Sequence, residues 1–424
     1  MADAQVAQPQ RKPLRATLAR FGLASVSSAA VSVSHLLVQL VSVRRLDATE
    51  IGTLAFLLVI LQFGYSLSNA LVSTPYTIAV NQREEKGEAL DFFFPINLML
   101  CLVQGIACAA IAWAMVGPLA AAAFGVAGVI SLLRWFGRAN AYAHHTPMTA
   151  AISDILYAGC VTAGIAALLA FDVRIEEIGA LLALAGMVAL IPFGAGFLGR
   201  HKPTRLVGAF SEYRPVWQRQ SAWTLIGVVT TEATANAHSY IVTLLAGPAA
   251  FAPIAVGMLF FRPVNVCITA LTQLERPRMT RAVAKGDERG ALGSQRAFMA
   301  ALLVIWVATS GLAMVILWAF PHILIKPTLD VQTVMLAVLF CAALSLVQCI
   351  QSPMSVLTQA HGAFRPLAAT SVRSCFVGLA AVLVLTLTVP AVYTVVGVVV
   401  AQLVMMLGIY RLNREWRRRA GEAQ

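Results

Sequence analysis

Long apolar runs separated by short polar turns recur along the chain at 21–43, 51–73, 92–116, 118–137, 148–170, 178–199, 221–244, 251–274, 297–320, 331–352, 366–388 and 390–411. A helix of about 20 residues crosses a ~30 Å hydrocarbon layer, so the pattern predicts an all-α integral membrane protein with twelve transmembrane helices. Four runs are not uniformly apolar. In run 1, Ser25, Ser28, Ser32, His35, Gln39 and Ser42 recur at alternating three- and four-residue steps, which places them on one helix face. Run 2 repeats this with Gln62, Ser66, Asn69, Ser73 and Thr77, run 7 with Glu232, Asn236, Ser239, Tyr240 and Thr243, and run 8 with Arg262, Asn265, Thr269, Thr272 and Gln273. Run 10 carries a competing stripe, Ser345, Gln348 and Ser352.

A polar stripe on a membrane helix must face protein or water, so runs 1, 2, 7 and 8 predict one polar cavity. Ser25 and Ser28 are read instead as small packing residues that let helices approach closely. Arg262 lies midway along run 8 and Glu232 midway along run 7. Each charge costs about 2.5–3.5 kcal/mol at the bilayer centre on insertion scales. The pair is therefore expected to face the cavity, or to meet as a structural ion pair. Arg262, Glu232, Asn236, Asn265, His35, Gln39, Gln62, Asn69, Tyr240 and Thr269 are the expected cavity residues. Glu232, Asp154 and His238, with His35, titrate at membrane depth and are the candidates for ion coupling. Thr74-Pro75-Tyr76 predicts a kink whose freed backbone groups need local partners.

Composition agrees with the pattern. The chain is 59% hydrophobic and 12% charged, with mean hydropathy +0.78, whereas soluble domains are about 25% charged. The net charge of +12 raises the question of nucleic acid, and the placement of the charges answers it. With both termini cytoplasmic, nearly all Lys and Arg fall in cytoplasmic turns and helix ends, leaving Arg44, Arg45, Arg174 and Lys326 outside and Arg262 and Arg373 within helices. This is the positive-inside bias, and it leaves no basic patch for nucleic acid. No small-residue cleavage site follows run 1, which reads as a retained signal anchor. The expected layout is a cytoplasmic segment 1–20, partly an interfacial helix, a six-helix lobe 21–199, a basic cytoplasmic linker 200–220, a second six-helix lobe 221–411 and a basic cytoplasmic tail 412–424.

The halves match weakly: Thr74 to Leu90 aligns with Arg276 to Leu292, and Leu46 to Ala55 with Ala246 to Ala255. Six crossings per half make this a parallel repeat about an axis along the membrane normal, so the first two helices of each half face each other. No phosphate-binding loop, HExxH or nucleophile elbow occurs, and the seven cysteines lack CxxC spacing. No cofactor or metal is expected. External loops of about ten residues or fewer leave little room for a catalytic domain, which weighs against an enzyme.

The stretches Leu46-Asp-Ala-Thr-Glu-Ile-Gly-Thr-Leu-Ala-Phe56, Phe63-Gly-Tyr-Ser-Leu-Ser-Asn-Ala-Leu-Val-Ser-Thr-Pro75 and Leu245-Ala-Gly-Pro-Ala-Ala-Phe251 resemble the O-antigen flippase-like polysaccharide transporters of the multidrug/oligosaccharidyl-lipid/polysaccharide exporter superfamily. The resemblance implies two six-helix bundles in a MATE-like fold, a cavity lined by helices 1, 2, 7 and 8, and a rocker-switch cycle. It also implies a bacterial inner membrane location and flipping of an undecaprenyl-diphosphate-linked oligosaccharide to the periplasmic leaflet, with polysaccharide assembly enzymes as partners at the cytoplasmic face. Arg262 matches the position of a cavity arginine in the related lipid II flippases. The alternatives are a drug/cation antiporter of the same superfamily and a membrane-embedded glycan polymerase or acyltransferase. A major facilitator is disfavoured, because the turn Asn81 to Asp91 lacks that class's Gly-x-x-x-Asp-Arg pattern.

Overall fold

The structure, a computed structural model, describes residues 14–83, 90–171, 173–320 and 329–422. The stripe members Ser25, Ser28 and Gln273 lie outside the residues whose side chains are described, as do segment 1–13 and Lys326. The chain folds into twelve long helices: α1 Leu14–Arg45, α2 Ala48–Val80, α3 Phe93–Met115, α4 Pro118–Ala143, α5 Pro147–Leu168, α6 Ile175–Gly199, α7 Ala222–Leu245, α8 Pro248–Phe260 with Arg262–Ala284, α9 Glu288–Ala319, α10 Val331–Ala360, α11 Phe364–Thr388 and α12 Ala391–Arg418. Among the described residues, nine helices are long and apolar enough to cross a membrane, and the bent α8 makes a tenth.

Helix ends are set by caps rather than by the edge of the apolar run. Asp47 and Glu50 form a capping box at the start of α2, with Glu50 N–H to Asp47 Oδ1 at 2.8 Å. Asp287 caps α9 by accepting from Gly290 N–H at 2.8 Å, so α9 begins at Glu288 and not at 297. Likewise α10 continues past 352 to Ala360, and the last helix past 411 to Glu422. The tail is therefore helical through most of its length. The interfacial helix expected before residue 21 is instead the first turns of α1. Gly22 is the only helix-weakening residue there, and a single glycine costs about 1 kcal/mol, too little to end a helix.

Two lobes follow. α1 packs on α5, α5 on α6, α6 on α4 and α4 on α3, while α7 packs on α11, α11 on α12, α12 on α10 and α10 on α9. The second network is the first shifted by six helices, a pseudo-twofold along the membrane normal. Across the lobes, α2 packs on α7 and on the first half of α8. Contact is closest where the two halves begin: a Cβ at Gly52 would lie 1.8 Å from the Pro248 carbonyl oxygen. Outward faces carry large exposed apolar side chains, such as Val103 and Ile106 on α3 and Val304 and Trp318 on α9, as a lipid-facing surface requires. The chain is a multi-pass membrane protein.

Two prolines shape the inner helices. Pro263 cannot donate to the carbonyl of Leu259, and α8 breaks at Phe261 with a 53° bend. Arg262 thus begins the second half of α8, whereas the sequence places it midway along one continuous run. Pro75 is accommodated by a π-helical turn, Asn69–Ser73, so α2 passes through it as one span. Between α6 and α7 lies a further helix, Leu206–Val216, which runs through a second π-helical turn, Trp217–Ser221, into α7.

Candidate functional site

Two side-chain bonds join the polar stripes across the lobes. Ser66 of α2 donates to Glu232 Oε1 of α7 at 2.8 Å, and Asn236, one turn along α7, donates to Oε2 at 2.9 Å. Arg262, at the break of α8, donates from Nη1 to Gln39 Oε1 of α1. No ion pair joins Arg262 to Glu232. The pairing weighed from their matched depth gives way to neutral partners, because α7 turns its carboxylate toward α2 and the break in α8 turns the guanidinium toward α1. Each charge is stabilised by an amide or hydroxyl from the other lobe and keeps its own field.

The remaining stripe residues divide into those left open and those packed away. Gln62, Asn69, Asn265 and Thr269 are exposed, although their stripes also carry the cross-lobe bonds. Exposed polar groups on the stripes of both lobes are what a polar cleft between the lobes requires. The close approach of α2 and α8 at Gly52 and Pro248 lies at the α1–α2 and α7–α8 turns, opposite the basic end of α8 that carries Arg276, Arg278 and Arg281. Tyr240 is half-buried, edge-on to Phe56 of α2 with ring centroids 6.0 Å apart. His238 is turned away from Glu232, with Nε2 3.3 Å from the Met258 sulfur. Of the competing stripe on α10, Ser345 is buried, and α10 packs tightly on α8 at Gly257 and Ala337.

His35 and Asp154 belong to a connected network inside the first lobe. His35 Nε2 lies 3.1 Å from the Tyr157 hydroxyl, and the two rings stack. The Arg134 guanidinium sits 4.3 Å above the Tyr157 ring and donates to Asp154 Oδ1 at 2.6 Å. Arg138 pairs with Oδ2 of the same carboxylate at 3.1 Å and lies over the Trp135 ring, and Trp135 Nε1 donates to Asn69 at 2.9 Å. A chain of contacts therefore runs from His35 on the α1 stripe through a buried ion cluster to Asn69 on the α2 stripe.

Sequence reasoning places Arg134 and Arg138 at a cytoplasmic helix end and gives Tyr157 and Trp135 no role. In the structure Arg134 is 5% exposed and Asp154 fully buried. The readable signal was the Arg134–Arg138 spacing, which puts two cations on one face of α4 opposite a lone acid on the next helix. Among the described residues, no group of three or more His, Cys, Asp or Glu is placed to hold a metal ion.

No known protein family matches the sequence, and no curated protein matches it. Solved structures do match the fold over nearly the whole chain. A multidrug resistance MATE family transporter of the MOP superfamily, in its inward-facing conformation, superposes with a TM-score of 0.63 at 13% identity, covering 95% of this chain and 94% of that one. The lipid II flippase MurJ, in an inward closed conformation, superposes with a TM-score of 0.66 at 10% identity over 91% and 86%. The eukaryotic MATE transporter AtDTX14 gives 0.57 at 14% over 96% and 99%. At these identities the likeness is one of fold: the chain has the two-lobe, twelve-helix architecture of MATE transporters, and its fold also superposes on most of MurJ.

Proposed function

We propose that this protein is a flippase that carries an undecaprenyl-diphosphate-linked oligosaccharide from the cytoplasmic to the periplasmic leaflet of a bacterial inner membrane, by alternating access of its two lobes. Arg262 carries the reading. It stands at the break of α8, held only by a neutral amide from the opposite lobe, so its charge is not cancelled by an acid. A planar, permanently charged fork in that setting suits diphosphate oxygens, and Gln62, Asn69, Asn265 and Thr269 suit sugar hydroxyls. The basic end of the helix bundle is read as cytoplasmic, with both termini on that side.

The cycle follows from the contacts. The cleft is shut at one end by the packing of α2 on α8, so the head group enters from the basic end. Opening the other end requires Gly52 to part from Pro248. The Ser66–Glu232 and Gln39–Arg262 bonds cross between the same lobes and must rearrange as well. A diphosphate that takes Arg262 from Gln39 removes one of these ties. Glu232, free of cations in this state, is the candidate site at which an ion gradient acts.

That same unpaired carboxylate favours a second reading, a cation or drug antiporter, in which Glu232 takes a positively charged substrate. Gene deletion separates the two. A flippase leaves a lipid-linked oligosaccharide accumulated on the cytoplasmic leaflet, and its composition identifies the glycan. Unchanged lipid-linked glycans with heightened sensitivity to cationic drugs would overturn the flippase reading in favour of the antiporter.

A further inference from the structure

Outside the cleft, a hydrophobic groove of about 320 Å³ lies between α2, α3 and the helix Leu206–Val216. Its size falls at the lower end of small-molecule sites, about 300–1,000 Å³. Leu71 and Val72 of α2 and Met99 and Leu100 of α3 form one side, and Phe210 and Trp217 the other. The wall is fixed at its centre by Tyr213, whose hydroxyl donates to the Leu71 carbonyl at 2.5 Å. Pro75, four residues on, has no N–H to offer that carbonyl.

Charge is confined to one part of the rim. Arg214 lines the groove and Arg219 lies one turn further on. Asp91 pairs with Arg200 at 2.6 Å and lies 3.9 Å from Arg205, whereas Arg214 and Arg219 have no acidic partner among the described residues. An apolar trough ending at uncompensated arginines matches one ligand shape, a long hydrocarbon tail ending in a phosphate. The π-helical turn of α2 also connects the groove to the cleft: Leu71 and Val72 face the groove, while Asn69 of the same turn is exposed on the stripe.

We infer that this groove is a loading site for the polyprenyl tail of the lipid substrate, with the phosphate at Arg214, from which the head group passes into the cleft. The inference rests on the flippase reading. It explains why the chain keeps a half-exposed aromatic and aliphatic trough beside basic residues rather than filling it, and it gives the tail a place on the lipid-facing side while the head crosses.

The test is photolabelling of the full-length protein in lipid nanodiscs with a diazirine-bearing undecaprenyl phosphate. Label is expected on the groove walls at Met99 and Phe210. Unlabelled undecaprenyl phosphate should compete at concentrations about tenfold lower than phosphatidylglycerol, a difference of ~1.4 kcal/mol. Leu100→Trp, which fills the groove, and Arg214→Gln, which removes the charge at an exposed position, should each cut labelling at least several-fold. Arg214→Gln keeps the test open if the filled variant does not fold. Equal competition by phosphatidylglycerol would make this an ordinary phospholipid contact and overturn the inference, as would label that neither variant reduces. Specific groove labelling by a protein that moves no lipid-linked glycan would sink the flippase reading while leaving the polyprenyl site standing.

Discussion

Ser66 and Glu232 lie on different lobes, and their 2.8 Å hydrogen bond ties α2 to α7 in the state seen here. The proposed alternating-access cycle moves these helices against each other, which makes the bond a contact of one state. A hydrogen bond to a charged group contributes about 1.5–3 kcal/mol. Ser66→Ala should therefore shift the balance toward the oppositely open state by tenfold or more. Spin labels on residues 47 and 247, at the turns before α2 and α8, read by pulsed dipolar spectroscopy, should show a longer-distance population rise. An unchanged distance distribution would mean the bond holds no conformational equilibrium.

The buried cluster of Arg134, Arg138 and Asp154 gives a prediction of opposite kind. Asp154→Ala leaves two largely buried cations without that acid, and breaking a buried pair from one side costs about 3–5 kcal/mol. The variant should lose monodispersity in detergent and melt well below the parent. Arg134→Met with Asp154→Leu, which leaves only the partly exposed Arg138 charged, should recover part of that loss. Failure to recover would show that the cluster does more than balance charge, and would favour Asp154 as a coupling group.

Tyr213 and Pro75 should be thermodynamically coupled through the Leu71 carbonyl. Tyr213→Phe leaves a buried acceptor unmet, at about 1–3 kcal/mol. In a Pro75→Ala background the restored N–H can take that acceptor, so the same substitution should cost much less. Melting curves of the four proteins form the double-mutant cycle. Equal costs in both backgrounds would rule out the coupling.

How far the chain could be read without coordinates depends on which physical term decides each feature. Twelve apolar runs gave twelve helices because hydrocarbon thickness sets run length. The polar stripes likewise mark the helices that meet across the lobes. The break before Arg262 was less visible: Pro263 was legible, but one proline does not say whether a helix bends, breaks or, as at Pro75, takes a π-helical turn. Partner choice was not legible at all. Matched depth says that Glu232 and Arg262 share a layer, while helix rotation decides that one meets Ser66 and the other Gln39. Arg134 shows the same limit, since its distance from the run's centre concealed that α5 packs over it.

His201, just beyond the end of α6, should make the fold pH-sensitive. Its pKa is lowered from 6.5 to about 4, chiefly by burial and also by the neighbouring Arg200, against hydrogen bonds to the backbone that raise it. Phe94, Phe136 and Phe197 surround the ring, and Asn97 approaches Nε2 at 3.3 Å. Because the folded state binds this proton more weakly than the unfolded chain, the stability it contributes is complete above pH 6.5 and is lost as pH falls toward 4. The melting temperature should decline through that window, and His201→Gln should flatten the decline. A decline of the same steepness in the variant would assign it to other groups.

Arg262 offers the most direct measurement of the central claim. Flipping of a purified lipid-linked oligosaccharide, reconstituted with the protein in proteoliposomes, should be abolished by Arg262→Ala and only partly restored by Arg262→Lys, since a point charge replaces a bidentate fork. Stability should be little changed in both, because Arg262 leaves behind a neutral Gln39 and no unpaired acid. A stable Arg262→Ala protein that still flips its lipid at the parental rate would contradict the account.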